Sequence, residues 1–252
     1  MADIMKESNH MIVWLDRNIA SPDCCKVLRK AFSTATNPEN KIFTNIDDLD
    51  IENLIRENSD LNDSTFLQVP LYFKLFSDIE PCRQFLIENA GRKRVFFITS
   101  GSLGEHIVPE LLTDHRKVFE DENGKLYEDS IYIFCADMIK HGQWAIEYLD
   151  LDCIKMENDD QAILARLTRD IAKYFLEQGK QLSIDKNHVH SLNKALKYFN
   201  WSRTLFHNAQ SIAKTHTSQA FIHDIDQLIE QTKNEINQLE NRDDQEKFGE
   251  EN

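Results

Sequence analysis

Three short apolar runs in this chain each end on a group that could do chemistry. Met11-Ile12-Val13-Trp14-Leu15 runs into Asp16, Val95-Phe96-Phe97-Ile98-Thr99 into Ser100-Gly101-Ser102, and Ile131-Tyr132-Ile133-Phe134-Cys135 into Asp137. Apolar runs of this length read as strands buried on both faces, and in parallel sheets ligands sit just past the strand ends. Asp16, Ser100, Gly101, Ser102 and Asp137 are therefore the candidate ligand-binding residues. Two carboxylates converging at such an edge favour a cation, and the N–H groups of a helix-opening turn favour an anion. A magnesium-bridged phosphate would satisfy both; no other cofactor is expected, and no residue is assigned as catalytic.

Three enzyme templates place groups at these strand ends, and each lacks one group here. A response-regulator receiver needs a phosphoacceptor Asp where Thr99-Ser100 stand, and a Lys after the fifth strand, where Glu157 and Asp159 follow. A haloacid-dehalogenase-like phosphatase needs D-x-D after its first strand, but Asp16 is followed two residues later by Asn18, whose amide cannot relay a proton as a carboxylic acid does. A caspase-like protease needs Ser-His-Gly where Thr99-Ser100-Gly101 stand, which leaves Cys135 without a base. Local structure explains much of the motif: Ser102 and Glu105 have capping-box spacing, Gly101 would supply backbone freedom to the turn, and Pro109 would break or restart the helix. The histidines, His10, His106, His115 and His141 among them, are scattered without metal-ligand spacing, and Trp144 is expected to pack on the sheet.

The elements that must position these residues alternate between strand and helix, the pattern of an α/β sheet with crossover helices. Expected strands are Met11–Leu15, Val95–Thr99, Ile131–Cys135 and Cys153–Met156. Strand two is either Lys41–Ile46 or Leu71–Phe76; the latter is favoured because its helix, Ile79–Ala90, leads directly into Val95. Expected helices are Pro22–Ala35, capped by Ser21, then Asp50–Asn58, His141–Leu149, and Asp160–Gln178, which stops at Gly179. Asn123-Gly124 between Val118-Phe119 and Leu126-Tyr127 is a hairpin signal.

Beyond Gly179 the pattern changes to a polar connector and two helices. The first runs from about His188 to Lys214. The second, capped by Thr217 or Ser218, carries Ile222, Ile225, Ile229, Thr232, Ile236 and Leu239 at alternating spacings of three and four. This seam is too short for a stable isolated dimer, so an intramolecular antiparallel hairpin is expected. The organisation is thus an α/β domain over 1–179, a linker over 180–187, a helical hairpin over 188–240 and an acidic disordered tail over 241–252. The expected fold is a flavodoxin- or receiver-like, mostly parallel five-stranded sheet of order 2-1-3-4-5, followed by the C-terminal α-helical hairpin.

Composition narrows the function classes. The chain has 252 residues and a formal charge of −14, carried mostly by residues 1–179, where 32 Asp and Glu meet 20 Lys and Arg. Such a body repels nucleic acid and anionic membrane surfaces. Only seven glycines occur, and neither phosphate-binding glycine motif is present. Five cysteines without C-x-x-C spacing indicate a reducing compartment, and a polar start without a signal-peptide pattern points to the cytoplasm.

The runs Ile12–Asp16, Phe96–Pro109 and Ile131–Asp137, with Gln143-Trp144-Ala145, resemble a receiver-like module of invertebrate multidomain proteins, found there before tetratricopeptide arrays or ADP-ribosyltransferase domains. The likeness spans about residues 10–178, with Lys41–Val69 and Thr113–Asp129 as insertions, and its S-G-x-L-G-x-x-I-V-P core is its most specific part. It implies a receiver-like fold and assigns no catalytic residue. Phe206 and Ala209 fit the second helix of a tetratricopeptide repeat, whereas the Trp, Gly and Tyr of the first helix are missing. Together these features point to a non-enzymatic interaction or adaptor protein whose C-terminal helices meet a protein partner. The alternative is a degenerate haloacid-dehalogenase-like, magnesium-dependent phosphoryl hydrolase that uses Asp16.

Overall fold

The computed structural model describes residues 10–18, 26–39, 72–186 and 188–250. Its strands are β1 (His10–Leu15), β2 (Tyr72–Phe76), β3 (Arg94–Ser100), β4 (Ile131–Phe134) and β5 (Ile154–Glu157). They form one sheet of order β2-β1-β3-β4-β5 in which every pair is parallel. This is the flavodoxin-like order, with β1 and β3 at the switch point. The favoured strand two holds, and Met11 pairs with Tyr72 through to Leu15 with Phe76. Ser21, Pro22, the Lys41–Ile46 run and the Asp50–Asn58 helix lie outside the described residues.

Strand alternation sorts the apolar side chains onto two faces. Met11, Val13 and Leu15 join Val95, Phe97, Ile131 and Ile133 in a core with Cys82 and Leu86 of α2 (Ile79–Glu88), and Ile107, Val108 and Leu111 of α3 (Gly101–Thr113). On the opposite face Ile12, Trp14, Phe96, Ile98 and Tyr132 are equally buried, and the Trp14 ring lies 4.6 Å from Phe32 of α1 (Lys26–Ala35). Each such side chain contributes about 1.5–3 kcal/mol on burial.

Three local expectations change. Pro109 lies inside α3 without ending it, because Ile107, Val108, Leu111 and Leu112 on both sides of it are held in the core. The Asn123-Gly124 segment forms a turn with a single bridge, Glu120 to Leu126, rather than a two-stranded hairpin. There Asp121 accepts from the Asn123 and Lys125 N–H groups, and a 3₁₀ turn over Arg116–Phe119 takes up the chain where a strand would run. The helix after β4, α4 (Met138–Ala145), starts three residues earlier than expected because Asp137 caps it, and it tightens into a 3₁₀ turn over Ile146–Leu151.

The residues divide into two compact units, one ending at Leu164 and one running from Ala165 and including residues 38–39. Helix α5 (Asp160–Ser183) starts in the first unit, and from Ala165 on it packs in the second with α6 (Val189–Ala213) and α7 (Gln219–Glu250). Gly179 does not stop α5. A Cβ there would fall 2.6 Å from the Phe199 ring, so the glycine makes room for that side chain of α6. Nearby, the Ser202 hydroxyl donates to the Ala172 carbonyl (2.7 Å), and the Phe175 ring sits 5.0 Å from Trp201 and 5.5 Å from Tyr198.

Helices α6 and α7 form the expected antiparallel hairpin. Phe206 stacks on Phe221 at 5.0 Å and Arg203 pairs with Asp226 at 2.7 Å. The seam residues Ile222, Ile225, Ile229 and Ile236 are buried within the chain, and the Thr232 hydroxyl is satisfied by the Leu228 carbonyl at 2.7 Å. Lys214 ends α6 in the left-handed region (φ 52°), its N–H meeting the Gln210 and Ser211 carbonyls. With its amide oxygen turned toward α7, Gln210 accepts from the Ser218 and Gln219 N–H groups (3.2 and 3.0 Å), so a glutamine opens that helix where a Thr217 or Ser218 cap was expected. The helix runs to Glu250, through the segment whose acidity suggested disorder, because no helix breaker precedes Gly249.

His10 is buried at the start of β1, and its imidazole is held neutral, its pKa pushed down to about 3 by burial first and then by the Arg94 and Lys93 charges. The unfolded chain therefore protonates before the folded one. Stability falls as pH drops from about 6.5 toward 3, with an upper limit of about 5 kcal/mol from this group. His10→Phe should flatten that acid limb in denaturant titrations at pH 4 and pH 7. Gly179→Ala should lower the melting temperature despite the better helix propensity of alanine, whereas Lys214→Gly should raise stability by about 0.5–1 kcal/mol. Thermal melts of the two variants check both signs.

Candidate functional site

The sheet register builds the carboxyl edge. Leu15 pairs with Thr99, Thr99 with Ile133 and Ile133 with Met156, so the next level brings Asp16 beside Ser100, Ser100 beside Phe134 and Phe134 beside Glu157. Asp16 is anchored through its N–H to the Phe76 carbonyl (3.0 Å), and its Oδ1 accepts from the Asn18 N–H (2.8 Å). The carboxylate thus closes the turn that follows β1. Asn18, standing where a phosphatase of the haloacid type has its general acid, contributes a backbone donor to that turn.

Ser100 is the N-cap of α3 without a side-chain capping bond, and Gly101 and Ser102 are the first two helical residues. The expected Ser102–Glu105 capping box is absent because the helix begins at Gly101; both side chains project from the exposed face of its first turns. Gly101 is needed for space and not for backbone freedom. Its helical backbone suits any residue, but a Cβ would fall 2.6 Å from the His141 ring and 2.8 Å from the Cys135 Cβ. One turn on, a Cβ on Gly104 would fall 2.9 Å from the Thr99 methyl and 3.3 Å from the Trp144 ring.

Asp137 stands three residues past the end of β4, where its Oδ1 accepts from the Lys140 N–H (3.0 Å) as the N-cap of α4. Asp16, Ser100, Gly101 and Ser102 therefore share the β1–β3 edge, while the Asp137 carboxylate serves its own helix. Among the described residues, no group of three or more His, Cys, Asp and Glu is arranged to hold a metal ion.

The composition-based reading missed His141 and Trp144 as members of this edge. Their signal was a matched pair of spacings: Gly101 and Gly104 lie three apart on α3, and His141 and Trp144 three apart on α4, each pair on one helix face. The two aromatic rings cover the two glycines. His141 Nδ1 and Trp144 Nε1 are shut off from solvent without a hydrogen-bond partner, a cost of about 1–3 kcal/mol each, accepted in exchange for the close packing. Cys135, at the end of β4, now has a histidine ring close by, as the sequence did not offer. Its thiol is nevertheless pushed up by burial and by the Asp137 charge, which keeps it protonated and a poor nucleophile.

No protein-family model, curated protein or solved structure matches this chain. Its function is to be read from the arrangement itself.

The Gly101 contact generates a double-mutant test. Gly101→Ala should cost about 1–3 kcal/mol by overpacking, and His141→Ala should recover only part of that loss when combined with it, because the Cys135 Cβ at 2.8 Å stays in the way. Asp137→Ala should cost about 1 kcal/mol through loss of the α4 cap, with no dependence on added magnesium. Urea titrations of the three variants and the double variant give both quantities.

Proposed function

We propose that this chain is a non-enzymatic interaction or adaptor protein built on a receiver-like α/β domain, related to the module of invertebrate multidomain proteins it resembles. The observation that carries the reading is how the polar groups at the carboxyl edge are engaged. Asp16 holds the turn after β1, Asp137 caps α4, and the His141 ring and Cys135 fill the space beside Gly101 where a ligand would approach the start of α3. An edge occupied by its own side chains suits a scaffold better than a catalyst.

The partner surface in this reading is the outward side of α6 and α7, since their seam is already buried within the chain. The partner is a protein; the acidic charge disfavours nucleic acid and anionic lipid. Among the described residues no helix is long and apolar enough to cross a membrane, in keeping with our placing the protein in the cytoplasm.

One observation favours a second reading. Asp16 and Ser100 directly follow the paired Leu15 and Thr99 at the switch point, the position that a magnesium-dependent phosphoryl hydrolase with an Asp16 nucleophile and a phosphate-holding Ser100 would use.

Two measurements on the full chain separate the readings. With magnesium present, the wild-type protein should not turn over a generic phosphate ester; turnover that disappears in Asp16→Asn would establish the hydrolase. Crosslinking in cells should recover a defined protein set that is lost when exposed residues of α6 and α7 are replaced at unchanged melting temperature. Recovery of the same set by those variants would overturn the assignment of the surface.

A further inference from the structure

The described part of the chain has few large apolar side chains in solvent, and three of them lie within nine residues. Met138, Ile139 and Ile146 are 39%, 85% and 64% exposed. Ile146 keeps helical backbone angles at the end of α4 (φ −61°, ψ −29°), so it lies two turns from Ile139 on the same face, roughly 10 Å along the axis. Gly142 lies between them, and a Cβ there would meet nothing within 4 Å. The result is an apolar stripe with a notch at its centre. It lies on the side of α4 opposite His141 and Trp144, which face α3.

The surroundings of the stripe are acidic. Between Asp137 and Asp160 the sequence carries seven Asp and Glu against Lys140 and Lys155, and Lys155 is paired with Asp129 at 3.2 Å. Asp137, Glu157, Asp159 and Asp160 are on the carboxyl edge near the Met138 end, whereas Glu147 and Asp152 follow the Ile146 end. The Asp160 carboxyl is held above its ordinary range, first by burial and then by the neighbouring Asp159 charge.

We propose that this face of α4 is a docking site for a basic amphipathic helix of a partner protein, whose central apolar side chain seats over Gly142 between Ile139 and Ile146. Helices dock in this way through anchors at i, i+3 or i+4 and i+7, and flanking lysines or arginines on the partner would answer the carboxylates at either end. The stripe by itself exposes far less than the about 800 Å² per partner that a specific interface between two folded proteins buries, so a slender helix fits it better than a second copy of this chain. The site belongs to the first compact unit and stands whether or not α6 and α7 carry a partner of their own.

A displayed library of random 16-residue peptides, panned on the full chain and depleted against Ile139→Ser/Ile146→Ser, tests the assignment. Enriched peptides should carry apolar residues at helical spacing and net positive charge. Their affinity should fall at least tenfold in Ile139→Ser/Ile146→Ser and in Gly142→Gln, which fills the notch. It should fall severalfold in Glu147→Lys and with added salt. Because all of these positions are open, the variants should melt at or above the wild-type temperature. Failure to enrich, enrichment of acidic or neutral peptides, or binding that survives Gly142→Gln would overturn the proposal. So would a concentration-dependent dimer abolished by Ile139→Ser/Ile146→Ser, which would make a second copy the occupant.

Discussion

Everything in the first unit depends on two neighbouring strands being buried on both sides. Every residue of β1, and every residue from Val95 to Thr99 of β3, is shut away from solvent. A sheet buried on both faces needs helices to cover each one, and helices that cross over between strands supply that cover while keeping the strands parallel, as in the order β2-β1-β3-β4-β5 seen here. That requirement sends Asp16, Ser100 and Glu157 to one level of the carboxyl edge, and it starts α3 there with its first turn against the sheet.

Glycine is spent on proximity in this protein. Gly101 and Gly104 admit the His141 and Trp144 rings, and Gly179 admits Phe199. In all three places the backbone is ordinary helix, and the missing side chain is what matters. Only Gly91 and Gly124 among the described glycines use the left-handed region. With so few glycines in the chain, those at the carboxyl edge let helices approach one another and do not form a phosphate cradle. The crowding at Gly101 and the exposed stripe of α4 have one origin: turning His141 and Trp144 inward leaves Ile139 and Ile146 facing out.

The second unit meets the same demand with helices alone. The seam of α7 is short, and the chain covers it by folding α6 back against it. The buried hydroxyls of Ser202 and Thr232 each donate to a helix carbonyl, so their burial leaves no donor unsatisfied. Lys214 takes the left-handed turn that a glycine would take more easily, and the Gln210 side chain reaches across to the first N–H groups of α7.

Periodicity determined the strands and the antiparallel hairpin; Leu71–Phe76 and Lys41–Ile46 were equally strand-like, and the run of the helix after Phe76 into Val95 is what favoured the former and, with it, the sheet order. These are legible because apolar spacing reports which faces must be buried, and a parallel sheet of short crossovers has few ways to connect. The positions of Asp16, Ser100 and Asp137 at strand ends were legible for the same reason. What the tertiary structure decided is what each group does there. Whether Gly101 relaxes a turn or makes room depends on His141, forty residues away; whether Gly179 ends α5 depends on Phe199; whether Ser102 caps α3 depends on where packing starts the helix. Spacing along one element carries the geometry of that element. It does not carry the shape of the neighbour, because close contacts between elements are set by side chains that only the fold brings together.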